Sequence, residues 1–440
     1  MSIFKAYDIR GVYKKELDEE LAYKIARAFV VFTGAKQVLV GRDARIGSEA
    51  IFPHVLKGLT DQGADVINMG LSTTPMFNFT QAHHKFEAGL MVTASHNPKE
   101  YTGMKINTVG ASPLTGESGI KEIEELIKSN KDFPSPEMQG GIEEIDFLGE
   151  YVNYILSLAK DTGKLKVVVD ASNGFAGVIS NLVFSNIESE IIPLNFEPDG
   201  NFPGHDPNPL KGDSQIQAKE KVKETGADFG CLFDADADRI IFVDEKGQTV
   251  QPDFIAAAIA KYSLKISPGD KILFDCISSK VIPKTIEENG GVPIVTRVGR
   301  SFIYLMAKEK DVIFGAEASS HYYHREVYHS DNGLLTILKV MKIISLEQKP
   351  LSEIVAPFNI FAHSGEVNIK VQDKEKSIAK VKEEFSDGKQ SFMDGISVDY
   401  EDVWFNVRQS NTEPVLRIRI EGKNKALVEE TKQKILKLVS

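Results

Sequence analysis

The sequence predicts an α/β protein in four parts: three similar α/β domains and a C-terminal α+β domain. Three observations lead there. Apolar strand-like runs alternate with helical stretches through most of the 440 residues, the pattern of sheets covered by helices with mostly parallel pairing. A helix that ends on glycine and feeds a strand recurs, as Gln62-Gly63-Ala64-Asp65, Thr225-Gly226-Ala227-Asp228 and Asn289-Gly290-Gly291, which points to a repeated unit. The final segment breaks this rhythm, with four strands clustered around two helices, as in a small antiparallel sheet with helices on one face. Length alone suggests about three domains, give or take one.

Taken in order, the short polar opening Phe4-Lys5-Ala6-Tyr7-Asp8-Ile9-Arg10-Gly11 precedes a helix at 18–33 and a strand at 37–40. A helix at 48–62 follows, then a strand from Asp65 and another at 88–92. A charged helix at 119–130 leads into Phe133-Pro134-Ser135-Pro136 and Gly140-Gly141, a linker by its proline and glycine content. The first domain is therefore expected at 1–140. The second, 141–248, holds helices at 146–160, 176–186 and 214–225, strands at 166–170 and around the Cys231 run, and a long irregular loop at 197–210. Loops of that length without structure of their own are commonly functional. The third, 249–360, has helices at 253–264, 279–288, from Ser301 and at 333–346, with strands at 271–275, 293–296 and 312–314. The fourth, 361–440, has strands at 366–371, 396–400, 403–408 and 415–420 and helices at 374–386 and 424–438.

Composition is that of a soluble globular chain, 42% hydrophobic and 26% charged. A formal net charge of -11 argues against broad binding to nucleic acid or anionic membranes. It leaves room for a small anionic substrate held by local arginines. The chain opens without a basic and then apolar signal segment, and no apolar run approaches the length of a membrane span. Cys231 and Cys276 both lie in apolar runs, as buried thiols do. A cytoplasmic protein is the expectation.

In α/β sheets, ligands bind beyond the carboxyl ends of strands, and four polar loops lie at such ends. The most informative is Asp234-Ala235-Asp236-Ala237-Asp238-Arg239, between Cys231-Leu232-Phe233 and Ile240-Ile241-Phe242-Val243. Residues two apart share a face of an extended chain. Three carboxylates there repel one another unless a cation lies between them. Their hard oxygens favour Mg²⁺, Mn²⁺ or Ca²⁺. An EF-hand also opens Asp-x-Asp-x-Asp, but its glycine position holds Arg239 and the flanks read as strands.

The second loop, Thr93-Ala94-Ser95-His96-Asn97-Pro98, offers a serine as nucleophile or phosphate carrier, or simply a turn before Pro98. It lacks the Gly-x-Ser-x-Gly of serine hydrolases. A Walker-type Gly-x-x-x-x-Gly-Lys-Ser/Thr is absent as well, so the metal does not serve a P-loop nucleotide site. In the third loop, 315–321, Glu317 and Ser319 can grip adjacent sugar hydroxyls, with His321 nearby; the alternative is a surface turn. In the fourth, Arg408-Gln409-Ser410-Asn411-Thr412-Glu413-Pro414 makes an anion cradle, or a polar hairpin.

Together these loops resemble the α-D-phosphohexomutase superfamily, in its phosphomannomutase/phosphoglucomutase branch. The likeness rests on 93–98, 234–239, Glu317-x-Ser319-x-His321 and Arg408-x-Ser410-Asn411-Thr412-Glu413-Pro414, in family order at domain-scale spacing. Tyr7-Asp8-Ile9-Arg10-Gly11 and Gly41-Arg42-Asp43 match too. The resemblance implies four domains around a central cleft, and an isomerase that moves a phosphoryl group between C1 and C6 of a hexose phosphate. Ser95 would be the phosphoserine. Asp234, Asp236, Asp238 and the Ser95 phosphate would hold one Mg²⁺. Lys105 and Arg239 would act beside the transferred group. Glu317 and Ser319 would read sugar hydroxyls, and Arg408, Ser410, Asn411 and Thr412 the phosphate that stays. Tyr7, Arg10, His96, Asn97, Arg300 and His321 would line the cleft.

Implied substrates are the 1- and 6-phosphates of mannose and glucose, with a hexose 1,6-bisphosphate as intermediate and activator. The enzyme is expected as a monomer or dimer. Alternatives are a phosphoglucosamine mutase, or a non-catalytic sugar-phosphate or metal sensor. Ala318 stands where the amino-sugar branch favours glutamine. The chain also departs from the family pattern: Ala235 stands where the metal loop usually has glycine, and Arg300 where related enzymes often have histidine. A phosphate-facing lysine known in some relatives is missing near Asp275-Cys276-Ile277.

Overall fold

The computed structural model describes residues 2–129, 133–134, 136–410 and 415–439. Three sheets repeat one plan. In the first, Asp65–Leu71, Gln37–Arg42 and Ala88–Val92 run parallel in that order, and Tyr101–Thr108 pairs antiparallel with the third. The second repeats this with Glu190–Leu194, Lys166–Asp170 and Phe229–Phe233, then antiparallel Ile240–Asp244. The third does so with Val292–Thr296, Lys271–Asp275 and Phe314–Ala316, then antiparallel Tyr322–His324. The repeat suggested by the recurring glycines is thus a repeat of sheet order.

Mostly parallel pairing was the expectation, and the sheets are mixed instead. The reason is loop length. The connections 93–100, 234–239 and 317–321 are each shorter than the dozen or so residues that a parallel crossover needs, so the chain turns back on itself. These three loops occupy one position in the repeat, the turn from the third parallel strand into its antiparallel partner. They are the serine, aspartate and glutamate loops singled out above.

The sheets also reach past the expected junctions. Ile142–Glu144 joins the first sheet beside Asp65–Leu71, and Thr249–Val250 joins the second beside Ile240–Asp244. The chain therefore leaves each sheet a few residues beyond 140 and 248. The fourth part is an antiparallel sheet, Ala362–Lys370, Val415–Gly422, Val403–Gln409, Ile396–Asp399 and Lys389–Ser391 in order, packed on helices Lys374–Glu384 and Lys425–Val439.

Helix ends follow local chemistry. Asp18 caps Glu19–Thr33 by accepting from the Leu21 N–H, and Gly34 closes it at φ 66°. One helix of more than two turns has no counterpart in the periodicity. Thr74–His84 starts on a Thr73 cap with proline in its first turn, and its first eight residues are all buried. A helix covered on every side carries no polar stripe to reveal it.

The second and third units share one hydrophobic core, which also takes in Leu39, Ile67, Phe77 and Phe86 of the first. Each fully buried phenylalanine in it, such as Phe229 or Phe242, contributes about 1.5–3 kcal/mol. The fourth unit has a separate core. It meets the third through polar contacts: Arg419 with Asp253, the Lys280 N–H with Glu421 (2.9 Å), and the Val298 N–H with Asp394 (3.3 Å). Among the described residues no helix is long and apolar enough to cross a membrane.

Candidate active site

Ser95 leaves strand Ala88–Val92 in a constrained turn, with φ at 50°. That left-handed conformation is costly for a residue with a Cβ and persists only where the surroundings impose it. Here its N–H donates to Thr93 Oγ1 (2.9 Å) and its carbonyl accepts from Arg45. Arg45 is fully buried and lies 3.2 Å from the Asp43 carboxylate. It also donates to the carbonyls of Asn97 (2.6 Å) and Pro98 (2.8 Å). Arg10, clamped by Asp8, donates to Asn97 Oδ1 (2.6 Å). The serine loop is therefore held from beneath by one arginine and from the side by another.

The Ser95 hydroxyl faces the second unit. Its Oγ lies 3.1 Å from Asp234 Oδ2 and 3.3 Å from His96 Nδ1. Burial, with Arg239 and Arg10 nearby, holds His96 well below the usual imidazole range, so it is neutral. Asp234, Asp236 and Asp238 each offer an oxygen within 4.8 Å of the others, and all three are buried. At that distance like charges repel by about 3.5 kcal/mol per pair at an effective dielectric near 20. Burial and the other two aspartates push Asp234 well above the carboxylate range. Burial acts the same way on Asp236 and Asp238, but Lys105 with Thr74 on the first, and Lys105 with His321 and Arg300 on the second, together outweigh it, and both are held low.

Lys105 projects from strand Tyr101–Thr108 and ion-pairs with both Asp236 and Asp238. Although burial opposes its charge, the two aspartates keep it protonated above the usual lysine range. Thr74, at the head of the unforeseen helix, binds Asp236 with its hydroxyl, and its N–H donates to the Asp236 carbonyl (2.9 Å). Asp236 Oδ1 is buried and has no hydrogen-bond partner among the described residues. An orphaned carboxylate oxygen inside three hard-oxygen donors fits a divalent cation.

Ala235 has an ordinary backbone conformation, so the position does not require glycine; the strained residue of this loop is Ala237, at φ 63°.

The third loop is knitted to the second by a backbone bridge between Arg239 and His321 and by the Ile240 N–H on the Ser320 carbonyl (3.2 Å). His321 sits between Asp238 (Nε2, 3.2 Å) and Glu317 (Nδ1, 2.8 Å). Burial works against its charge, yet the two carboxylates raise it to about 9. Ser319 Oγ lies 2.9 Å from His321 Nδ1. Glu317 accepts from the Gly299 N–H (3.1 Å) and the Tyr323 hydroxyl (2.9 Å), and is 3% exposed. Arg239 lies 3.9 Å from Asp234 and 3.3 Å from His321.

Arg300, expected to line the cleft, forks onto Asp331 and stands 3.5 Å from Asp238. Two of its five N–H donors are therefore engaged within the protein. Tyr7 donates to the Val298 carbonyl (3.2 Å). Burial first, then Asp394 and Glu317, raise its hydroxyl to about 12, which places it where the first, third and fourth units face one another. In the fourth unit Arg408 is buried and pairs with Glu366 at 3.1 Å, and Ser410 is buried beside it. Asn411 and Thr412 lie outside the described residues.

Several residues were not singled out from sequence: Arg45, Thr74, Asp331, Tyr323, and Asp275, whose carboxylate accepts from the Ala318 N–H (3.1 Å) beneath the glutamate loop. Only Arg45 had a nearby signal, in Gly41-Arg42-Asp43-Ala44-Arg45 just past a strand.

Known proteins share this arrangement along the whole chain. The alpha/beta/alpha domains I, II and III of phosphoglucomutase/phosphomannomutase match residues 1–133, 145–247 and 251–361, and the C-terminal domain of the same proteins matches 366–438. A phosphomannomutase of Methanocaldococcus jannaschii is 36% identical over 442 residues, covering 100% of this chain and 98% of its own. One of Escherichia coli K12 is 35% identical over 448 residues, covering 99% and 98%. A crystal structure of a phosphoglucomutase/phosphomannomutase family protein from Burkholderia thailandensis superposes with a TM-score of 0.91 at 31% identity, covering 100% of this chain and 97% of its own. With all four domains matched in order and identity above 30% over the full length, the chain belongs to the phosphoglucomutase/phosphomannomutase family.

Proposed function

We propose that this chain is a phosphomannomutase/phosphoglucomutase. It moves a phosphoryl group between C1 and C6 of mannose or glucose phosphate through a phosphorylated Ser95 and a hexose 1,6-bisphosphate, which also serves as activator. The observation that carries this reading is the strained Ser95 hydroxyl 3.1 Å from Asp234, at the edge of a buried carboxylate triad. Asp234, Asp236, Asp238 and the Ser95 phosphate are the groups to hold one Mg²⁺, which when bound neutralises charge on the phosphoryl oxygens.

The chain's own residues supply the rest. A sugar hydroxyl attacks the Ser95 phosphate, the new P–O bond forms as the bond to Oγ breaks, and protonated Lys105 gives a proton to that oxygen and takes up the one the sugar hydroxyl loses. His96, neutral beside Oγ, orients the serine. Glu317 and Ser319 bind sugar hydroxyls, and Arg408 with Ser410 binds the phosphate that stays. The bisphosphate then turns over and returns its other phosphate to Ser95. The separate core of the fourth unit, joined by polar contacts, suits the opening this turn requires.

The test is turnover of mannose 1-phosphate and glucose 1-phosphate to the 6-phosphates, with Mg²⁺ and a trace of hexose 1,6-bisphosphate. Ser95→Ala should lower the rate by on the order of 10⁴-fold or more. Unchanged turnover in that variant, or binding of sugar phosphate without isomerisation by the native chain, would sink the proposal.

A further inference from the structure

The loop 197–210, with its run Asp199-Gly200-Asn201-Phe202-Pro203-Gly204, has no part in the chemistry described above. It is ordered, and it crosses from the second unit to the first. Its tip is a turn closed by the Phe202 N–H on the Asp199 carbonyl (3.0 Å) and the Asn201 N–H on the Asp199 carboxylate (2.8 Å). The turn hangs from Asn173, just past strand Lys166–Asp170. The Asp199 N–H donates to the Asn173 carbonyl (2.9 Å), the Gly204 N–H to Asn173 Oδ1 (3.1 Å), and Asn173 Nδ2 to the Glu197 carbonyl (3.1 Å). Residues beside Asn173 touch the aspartate loop. Ser172 Oγ donates to the Phe233 carbonyl (2.6 Å), and a Cβ on Gly174 would fall 2.5 Å from the Ala235 carbonyl oxygen.

At its far end the turn lies on Arg45. A Cβ on Gly200 would come within 2.5 Å of both the Ala44 carbonyl oxygen and the Ile46 nitrogen, so backbone meets backbone there. The buried Phe202 ring lies 5.0 Å from the Arg45 guanidinium. That guanidinium is the group holding the carbonyls of Ser95, Asn97 and Pro98.

We propose that the 199–202 turn is a brace for the serine loop, acting through Arg45, and that Phe202 and Arg45 are positioning residues for phosphoryl transfer. Ser95 needs support because its backbone is in a costly conformation, and Arg45 gives it. Arg45 in turn holds three carbonyls more firmly with its remaining face kept from water, and an aromatic ring covers a guanidinium while attracting it. The brace springs from the same segment that abuts the aspartate loop. The spacing between Ser95 and Asp234 is therefore set twice, once by direct contact and once around the outside through Asn173, Phe202 and Arg45.

This inference rests on the mutase reading, so the experiment separates the two. Native protein, Phe202→Leu and Phe202→Tyr are compared by hydrogen–deuterium exchange over residues 93–101, by thermal melting, and by steady-state turnover of mannose 1-phosphate. Phe202→Leu, still folded by its melt, should exchange faster at 93–101 and lose roughly 10-fold or more in kcat with KM within about twofold. Phe202→Tyr, which keeps the ring, should stay close to native in both. Unchanged exchange at 93–101 in Phe202→Leu overturns the brace whatever the activity. So does a lower melting temperature with native kcat, which would mark Phe202 as packing alone, and so does a Tyr variant as slow as the Leu one. A native chain that fails to isomerise any hexose phosphate refutes the mutase reading, while the exchange comparison still decides the brace.

Discussion

Lys105→Met puts the charge balance of the aspartate triad to a direct test. The substitution keeps most of the side chain's length and removes the ammonium shared by Asp236 and Asp238. Those carboxylates are buried, and as two charged groups within 4.8 Å they repel by about 3.5 kcal/mol at an effective dielectric near 20. Removing one partner of a buried ion pair typically costs about 3–5 kcal/mol. The second and third units share a core, and for a cooperative body of their combined size each kcal/mol moves the melting temperature by about 2–4 °C. The metal-free variant should therefore melt on the order of 10 °C below native protein.

A divalent cation replaces the missing charge. At about 100 times its dissociation constant it restores roughly 2.7 kcal/mol. Native protein gains less from the same ion, because Lys105 already neutralises two of its ligands. The assay is thermal unfolding of both proteins in EDTA and across a MgCl₂ titration. Equal melting temperatures in EDTA would refute the reasoning, as would a gap that Mg²⁺ leaves unchanged.

Two further predictions concern the loops. Ala237→Gly relieves a left-handed alanine and should stabilise the protein by about 0.5–1 kcal/mol, whereas Ala235→Gly, at an ordinary conformation, should destabilise by a similar amount; urea melts of the two variants should move in opposite directions. His205 packs 3.0 Å from the buried Asp170 at the base of the 197–210 loop, and although burial opposes its charge, the bond to Asp170 raises its pKa. That pair's stabilisation is fully present below the ordinary histidine pKa and fades as pH rises through the raised value. Melting temperature should accordingly fall as pH rises above the ordinary histidine pKa, by more in native protein than in His205→Asn, and parallel profiles would count against it.

Sequence alone located the serine, the three aspartates and the glutamate loop, because each combines an unusual residue pattern with a strand end. Carboxylates two apart, or a serine before His-Asn-Pro, are local facts. What neutralises or props them is not. Lys105 reaches Asp236 across 131 positions, and Thr74 reaches it across 162. No local pattern records such pairings. Arg300 was legible as a cation near the cleft, but its engagement by Asp331 depends on how strand Ser330–Asp331 lies in the third sheet. The helix Thr74–His84 escaped notice because burial on all sides erases amphipathic periodicity, and it carries one of the residues that grip the metal loop. The reversal of direction after each third strand was readable in principle from loop length, a geometric limit rather than a composition signal.

The three loops that meet in the cleft come from one position of a repeated unit, and the contacts that join them cross from one unit to another: Ser95 to Asp234, Thr74 to Asp236, Arg239 to His321. On the proposed mechanism, no single unit contains both the nucleophile and its cation site. A chain with one unit still unfolded, during synthesis or after local melting, holds no working fragment of the machinery. A lone phosphoryl-transfer loop would waste phosphate on water. On that mechanism the divided architecture would act as an interlock, in which reactivity appears only once the whole molecule is in place and disappears with the first part to come loose.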